Sequence, residues 1–180
     1  MHLSPLHPRD RARVEDLLVA TGAFSESEVS VALELFDVAH AADGASAAAD
    51  DGPALAVATD YEFIGAYADD AALVGYACYG PTPATDGVYD LYWLAVDPAA
   101  QGRGAGSALV MRVERELAAR GARRLIAETS SLPRYARTRA FYASRGYVEE
   151  ARVRDFYAAG DDRIILCTRL DTRDDGARTR

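Results

Sequence analysis

The stretch LAVDPAAQGRGAGSAL, residues 94–109, decides the fold of this chain of 180 residues. It begins in an apolar run, residues 88–96, that predicts a strand ended by Asp97 and Pro98. It ends in apolar residues at helical spacing, which predict a helix over residues 105–120. A glycine-rich turn therefore connects a strand to a helix.

This turn, residues 101–107, is called the glycine loop. Gly102, Gly104 and Gly106 let the backbone approach a ligand closely and adopt positive φ. The first amides of the helix have no partner within it, and they lie at the positive end of its dipole. Arg103 adds a charge that does not titrate. Together these features predict an anion site suited to a diphosphate, with a helix cap without ligand as the alternative.

Three known loop patterns compete for this site. A P-loop requires lysine after its last glycine, whereas here Gly106 is followed directly by Ser107. A dinucleotide-binding oxidoreductase requires a third glycine at the position of Ser107, which makes it a weaker alternative. The pattern that fits is Gln101-x-x-Gly104-x-Gly106 after a strand that ends in Val-Asp-Pro.

Outside the loop, the sequence predicts an α+β domain over residues 1–170. Residues 41–53 predict a flexible loop, and residues 171–180 predict a disordered tail. Further helices are predicted over 10–20, from Ser25 to about His40, and over 134–145. Further strands are predicted over 2–6, 61–68, 72–80, 123–130, 147–157 and 163–170.

Composition excludes several classes of function. The net charge is −8 and lysine is absent, which argues against sequence-independent nucleic-acid binding. Residues 1–99 hold 17 acids and 3 arginines, whereas residues 100–180 hold 11 acids and 17 arginines. This division favours binding of an anion by the second half of the chain and of a cation by the first half. Neither the histidines nor the two cysteines have metal-ligand spacing, and no run is long and apolar enough to predict a membrane span.

The glycine loop resembles the acyl-CoA loop of the GNAT superfamily of N-acetyltransferases. A second segment, residues 138–147, is similar to that family's fourth-helix signature, an aromatic pair Phe141-Tyr142 followed by Gly146 and Tyr147. The predicted order of elements also matches. The resemblance implies a mixed, mostly antiparallel sheet of six to seven strands with four helices, splayed between the fourth and fifth strands. It further implies direct transfer of an acetyl group from acetyl-CoA to a primary amine, without a metal.

The resemblance also implies roles for individual residues. Tyr142 would protonate the leaving thiolate, and Asp90 would accept the amine proton, with Glu128 or a water chain as alternatives. Strand alternation places Asp90 on the same face as Tyr92, Leu94 and Val96. Backbone amides near residues 94–96 would polarise the thioester carbonyl. The residues expected to bind acetyl-CoA are Leu94, Ala95, Val96, Gln101, Gly102, Arg103, Gly104, Ala105, Gly106, Ser107, Arg137 and Tyr142.

The acceptor and the partners are less closely specified. Asp90, Glu128 and the acid-rich first half favour a cationic amine, either a small molecule or a protein amino group. Tyr89, Tyr92, Trp93 and residues 155–162 are candidates for the acceptor cleft. Homodimerisation and a cytoplasmic location are further expectations, the latter because no secretory leader is visible. The alternative function is a non-catalytic module that binds acyl-CoA and regulates a partner.

Overall fold

The computed structural model of the chain describes residues 1–45 and 60–170, and these form seven strands and four α-helices. This confirms the predicted α+β fold class. The helices are α1 (Arg11–Thr21), α2 (Glu26–Ala45), α3 (Ala105–Ala119) and α4 (Ala136–Ala143). The strands are β1 (His2–Pro5), β2 (Glu62–Tyr67), β3 (Leu73–Pro81), β4 (Val88–Val96), β5 (Arg124–Ser130), β6 (Val148–Ala158) and β7 (Asp161–Arg169).

The strands form one mixed sheet in the order β1-β2-β3-β4-β5-β7-β6. The pairs β1–β2, β2–β3, β5–β7 and β6–β7 are antiparallel, whereas β4 and β5 are parallel. The β4–β5 register ends at Leu91 opposite Ala127, although β4 continues to Val96 and β5 to Ser130. The fourth and fifth strands are therefore paired only over their first parts, which confirms the predicted splay.

The start of α2 follows a capping box predicted from the sequence. The Ser25 backbone N–H donates to Glu28 Oε2 at 2.7 Å, and the Glu28 N–H donates to Ser25 Oγ at 3.3 Å. The helix continues to Ala45, so it includes the first residues of the segment that the sequence predicts as a loop. Alanine, the strongest helix former, accounts for this extension. The rest of that loop, and the predicted tail over residues 171–180, lie outside the described residues.

The chain divides into two compact units, and each is described by itself. The first comprises Met1–Gly80 and Trp93–Val113. Its core combines apolar faces of α1 and α2 with side chains of the first strands and of α3. The fully buried members include Val14, Leu17, Leu18, Phe36, Tyr76, Leu109 and Val110. His40 is a structural residue here, since its ring nitrogens lie 2.7 Å from the Phe36 carbonyl oxygen and 3.2 Å from that of Leu6.

The second unit comprises Pro81–Tyr92 and Glu114–Arg180. One face of β5 and β7 forms its core together with α4 and the end of α3. The buried side chains of this core include Leu117, Leu125, Ala127, Tyr142, Tyr147, Ile164 and Leu166. No helix in the described residues is long and apolar enough to cross a membrane. The single domain and the cytoplasmic location stay predictions.

Candidate active site

The glycine loop belongs to the first unit, and Gly102 and Gly104 have the predicted positive φ. The prediction was wrong for Gly106, because this residue lies in the first turn of α3 and has helical backbone geometry. Gly102 has φ of 74° and Gly104 has φ of 89°, both in the left-handed region that favours glycine. A Cβ atom built on either residue meets no heavy atom within 4 Å. The loop is therefore open on the side where these side chains would stand, and α3 begins within it, at Ala105.

The amides of the loop are available to a ligand. Within residues 1–45 and 60–170, the backbone N–H groups from Gly102 to Gly106 donate no hydrogen bond, and the first helical bond runs from Ala108 N to Gly104 O at 2.9 Å. Arg103 is exposed in the middle of the same loop. Successive open amides beside an arginine, at the positive end of a helix, form an arrangement that can bind an anion such as a diphosphate.

The beginning of the loop is tied to the end of β4. Gln101 N donates to Asp97 O at 3.0 Å, and Gln101 Nε2 donates to Val96 O at 3.2 Å. The Gln101 side chain therefore holds the loop in place. Ala95 is buried and its two neighbours are half-buried. A Cβ on Gly75 of β3 would lie 2.9 Å from the Ala95 carbonyl oxygen, so glycine is required at that close approach.

Asp97 connects the loop to α1, a contact that the sequence did not predict. Its Oδ1 accepts from Ala99 N at 2.9 Å, while its Oδ2 accepts from the Arg13 guanidinium. Arg13 Nε also donates to Leu73 O at 3.0 Å. The Ala99 amide, followed by Arg13, holds the pKa of Asp97 below its usual range. The carboxylate is therefore ionised at neutral pH and fixes the entry to the glycine loop.

The predicted base, Asp90, is half-buried in the second unit. Thr82 Oγ1 donates to Asp90 Oδ2 at 2.7 Å. Burial raises the pKa of Asp90 and so does nearby Glu128, whereas the Thr82 hydrogen bond and Arg163 lower it. Burial is the largest of these effects, so Asp90 binds a proton more tightly than an exposed aspartate.

Glu128, the alternative base, forms an ion pair with Arg163 of β7. The guanidinium carbon of Arg163 also lies 4.8 Å from the centre of the Phe156 ring. The structure thus brings Asp90 and Glu128 together in one group of charges, which also includes Thr82 and Arg163. The sequence around Thr82 and Arg163 did not predict that they lie beside Asp90 and Glu128. Thr82 lies in a turn and Arg163 near the start of a strand, and residues of these types are common at both places.

Tyr142, the predicted general acid, is buried at 5% exposure in α4. Its ring packs against Phe141 and Tyr147, with ring centres 5.2 and 5.1 Å away. The Tyr142 hydroxyl makes no hydrogen bond to any residue that the structure describes. Burial raises its pKa well above the usual range, so the phenol is protonated at neutral pH and can donate.

Two arginines of α4 differ in their surroundings. Arg137, a predicted phosphate ligand, is exposed in the first turn of the helix. Arg139 instead donates to the carbonyl oxygens of Ser130 at 2.7 Å and Leu132 at 3.0 Å, and so fixes α4 against the end of β5. No group of three or more His, Cys, Asp or Glu side chains within the described residues is arranged to hold a metal ion.

Comparison with known proteins identifies the family. The model of the acetyltransferase (GNAT) family matches residues 32–147. A crystal structure assigned to the GNAT acetyltransferases, from Desulfovibrio desulfuricans, is 40% identical over 94% of this chain and 98% of its own, with a TM-score of 0.81.

Two more distant structures show the same fold. An aminoglycoside 6'-N-acetyltransferase complexed with coenzyme A is 18% identical, with a TM-score of 0.69 over 97% of this chain and 100% of its own. A ribosomal-protein-alanine N-acetyltransferase from Brucella melitensis is 16% identical, with a TM-score of 0.68 over 94% and 99%. No curated protein matches the chain. Since the family model covers more than half of the sequence, the protein belongs to the acetyltransferase (GNAT) family of transferases.

Proposed function

We propose that this enzyme transfers an acetyl group from acetyl-CoA directly to a cationic primary amine. The observation that carries the proposal is the glycine loop, with its open amides from Gly102 to Gly106 and the exposed Arg103. The resemblance of this loop to the acyl-CoA loop of the GNAT family supports the proposal, as does the open space beside Gly102 and Gly104.

In this proposal, acetyl-CoA supplies the acetyl group as an activated thioester. The amides from Gly102 to Gly106, with Arg103 and Arg137, bind its phosphates. The backbone amides of residues 94–96 donate to the thioester carbonyl oxygen, and loss of one such donor typically costs about 3 kcal/mol. Since backbone groups perform this task, substitution of Leu94 or Val96 is expected to alter packing and affinity more than chemistry.

Two side chains of the second unit move protons in the proposed reaction. Asp90, held by Thr82, accepts the proton that the attacking amine must lose. Tyr142, kept protonated by burial, donates a proton to the thiolate as it leaves. The carboxylates of Asp90 and Glu128 carry two negative charges against the single positive charge of Arg163. This surplus of negative charge supports a cationic acceptor.

The activity is tested by measuring thiol release from acetyl-CoA with a panel of small amines and amino-terminal peptides. We expect release that depends on one class of amine, and thermal stabilisation by coenzyme A, acetyl-CoA or propionyl-CoA that ranks the donors. Binding of acetyl-CoA without release for any amine would contradict the proposed transfer. A matched titration with nicotinamide dinucleotide should leave the melting temperature unchanged.

Asp90→Asn is expected to remove the acidic limb of the pH profile. In the wild type, kcat/KM should rise with pH through the pKa of Asp90, which burial places above its ordinary value, because only the carboxylate accepts a proton. The variant should lose roughly 100-fold in kcat and this dependence with it. Asp86→Asn, which changes an exposed aspartate of the same unit, is the control. This variant should retain both the wild-type kcat and its pH dependence. An unchanged profile in Asp90→Asn would assign the proton transfer elsewhere.

The edge strand β6 supports the proposal of a homodimer. It is the last strand of the sheet, and all eleven of its residues are exposed. Val148, Val153, Phe156 and Tyr157 are large apolar members of this edge, which a second copy would cover. An antiparallel self-pairing can also set Glu149 of each copy opposite Arg154 of the other.

We expect the wild type to sediment as a dimer and Val153→Glu as a monomer. Analytical ultracentrifugation over a concentration series measures the difference. The matched control is Val31→Glu on α2, because Val31 is 47% exposed and Val153 is 44% exposed. A wild type that stays monomeric at high concentration, or equal behaviour of both variants, would contradict association through β6.

A further inference from the structure

A group of charged side chains on three strands of the second unit lies on one face of the sheet. Asp90 of β4 is opposite Ile126, and Arg163 of β7 is opposite Ser130. Side chains alternate along β5, so Ile126, Glu128 and Ser130 share a face, and directly opposed residues share it with them. Glu128 therefore lies between Asp90 and Arg163, and we call these three residues the carboxylate network.

Arg163 is fixed within this network from two sides. Its guanidinium contacts the Glu128 carboxylate and lies 4.8 Å above the Phe156 ring. Its Nε is buried without a hydrogen-bond partner among the described residues. The ion pair and the ring contact together hold the guanidinium of Arg163 beside Glu128.

The two carboxylates have different partners. Glu128 is neutralised by Arg163, whereas the hydrogen-bond donors to Asp90 are the neutral hydroxyls of Thr82 and Tyr92. No ion pair includes Asp90 within the described part of the chain. Asp90 is thus the member of the network whose charge is not compensated by direct contact with a cation.

We propose that Arg163 is a positioning residue that neutralises Glu128 and so leaves Asp90 as the single proton acceptor of the network. The inference rests on the proposed function, in which the acceptor amine loses a proton. It assigns the role of proton acceptor to Asp90 rather than to Glu128. Without Arg163, the negative charge of Glu128 would act on Asp90 without compensation and would raise the pKa of Asp90. Asp90 would then remain protonated up to a higher pH and could not accept the proton of the amine.

The test measures the titration of Asp90 by carboxyl ¹³C NMR in the full chain without ligands. We expect the pKa of Asp90 to rise in Arg163→Gln and to stay near the wild-type value in Arg163→Lys, which keeps the charge. Arg152→Gln is the control, because Arg152 is likewise an arginine in ion pairs, with Glu149 and Asp162, but is not among the groups that shift the pKa of Asp90. A rise no larger in Arg163→Gln than in this control overturns the proposal.

A second substitution tests the route through Glu128. Glu128→Gln should lower the pKa of Asp90, since it removes a negative neighbour and leaves Arg163 uncompensated. In the double variant with Arg163→Gln, the pKa should return towards the wild-type value. A double variant that titrates like Arg163→Gln alone would contradict action through Glu128. Failure of acetyl transfer in the wild type would contradict the proposed function but would leave these titrations unaffected.

Discussion

Gly104→Asp is expected to abolish the binding of coenzyme A and acetyl-CoA. The substitution places a carboxylate among the open amides of the glycine loop, where the diphosphate is proposed to bind. Like charges at such a contact typically cost several kcal/mol, so affinity should fall by about 100-fold or more. Isothermal titration calorimetry with coenzyme A measures the loss.

Two controls separate the charge from the backbone strain. Gly104→Ala carries the same strain at φ of 89° without the carboxylate, and should bind more tightly than Gly104→Asp. Gly121→Asp adds the same side chain at φ of 81°, where a Cβ also meets nothing within 4 Å, but at the other end of α3. In both the Gly104→Asp and the Gly121→Asp variant, the free energy of unfolding should fall by about 1–3 kcal/mol. Equal loss of affinity at Gly104 and Gly121 would show that the loop is not the site.

Tyr142→Phe is expected to reduce acetyl transfer by roughly 100-fold while lowering coenzyme A affinity far less, since the ring remains in place. The hydroxyl makes no hydrogen bond within the described residues, so its removal leaves the packing against Phe141 and Tyr147 intact. The melting temperature should therefore change little. Steady-state thiol release measures kcat, and calorimetry measures affinity.

Tyr147→Phe is the matched control for this variant. Its ring contacts that of Tyr142, and its hydroxyl donates to Glu114 Oε1 at 3.0 Å. We expect about 1 kcal/mol less stability from the lost hydrogen bond and nearly wild-type transfer. A Tyr142→Phe variant that retains full transfer, or one that loses no more than Tyr147→Phe, would exclude Tyr142 as the general acid.

The features that the sequence predicted well are those set by nearby residues. The seven strands and four helices follow from hydrophobic period and turn residues, and the glycine loop follows from its motif. The capping box at Ser25 is equally local. The predicted start of the flexible loop at residue 41 was wrong, because α2 continues to Ala45. A run rich in alanine, with one Asp and one Gly, is compatible with either helix or loop.

The features that were missed depend on contacts between distant parts of the chain. Arg13 and Asp97 are 84 residues apart, and the partners Glu128 and Arg163 are 35 apart. Neither ion pair could be predicted from the sequence. A single sequence does not distinguish a charged residue exposed to water from one that pairs with a distant residue. Sequence alone therefore predicted Asp90 and Glu128 as candidate bases but not the ion pair of Glu128 with Arg163.

The most direct test of the account follows the backbone amides of residues 101–107 by ¹H–¹⁵N NMR during titration with coenzyme A. We expect the largest chemical-shift changes at Gly102, Arg103, Gly104 and Gly106. Pantetheine, which lacks the diphosphate, should leave these signals in place. Saturable binding of coenzyme A that moves other amides and not these would contradict the assignment of the glycine loop as the diphosphate site.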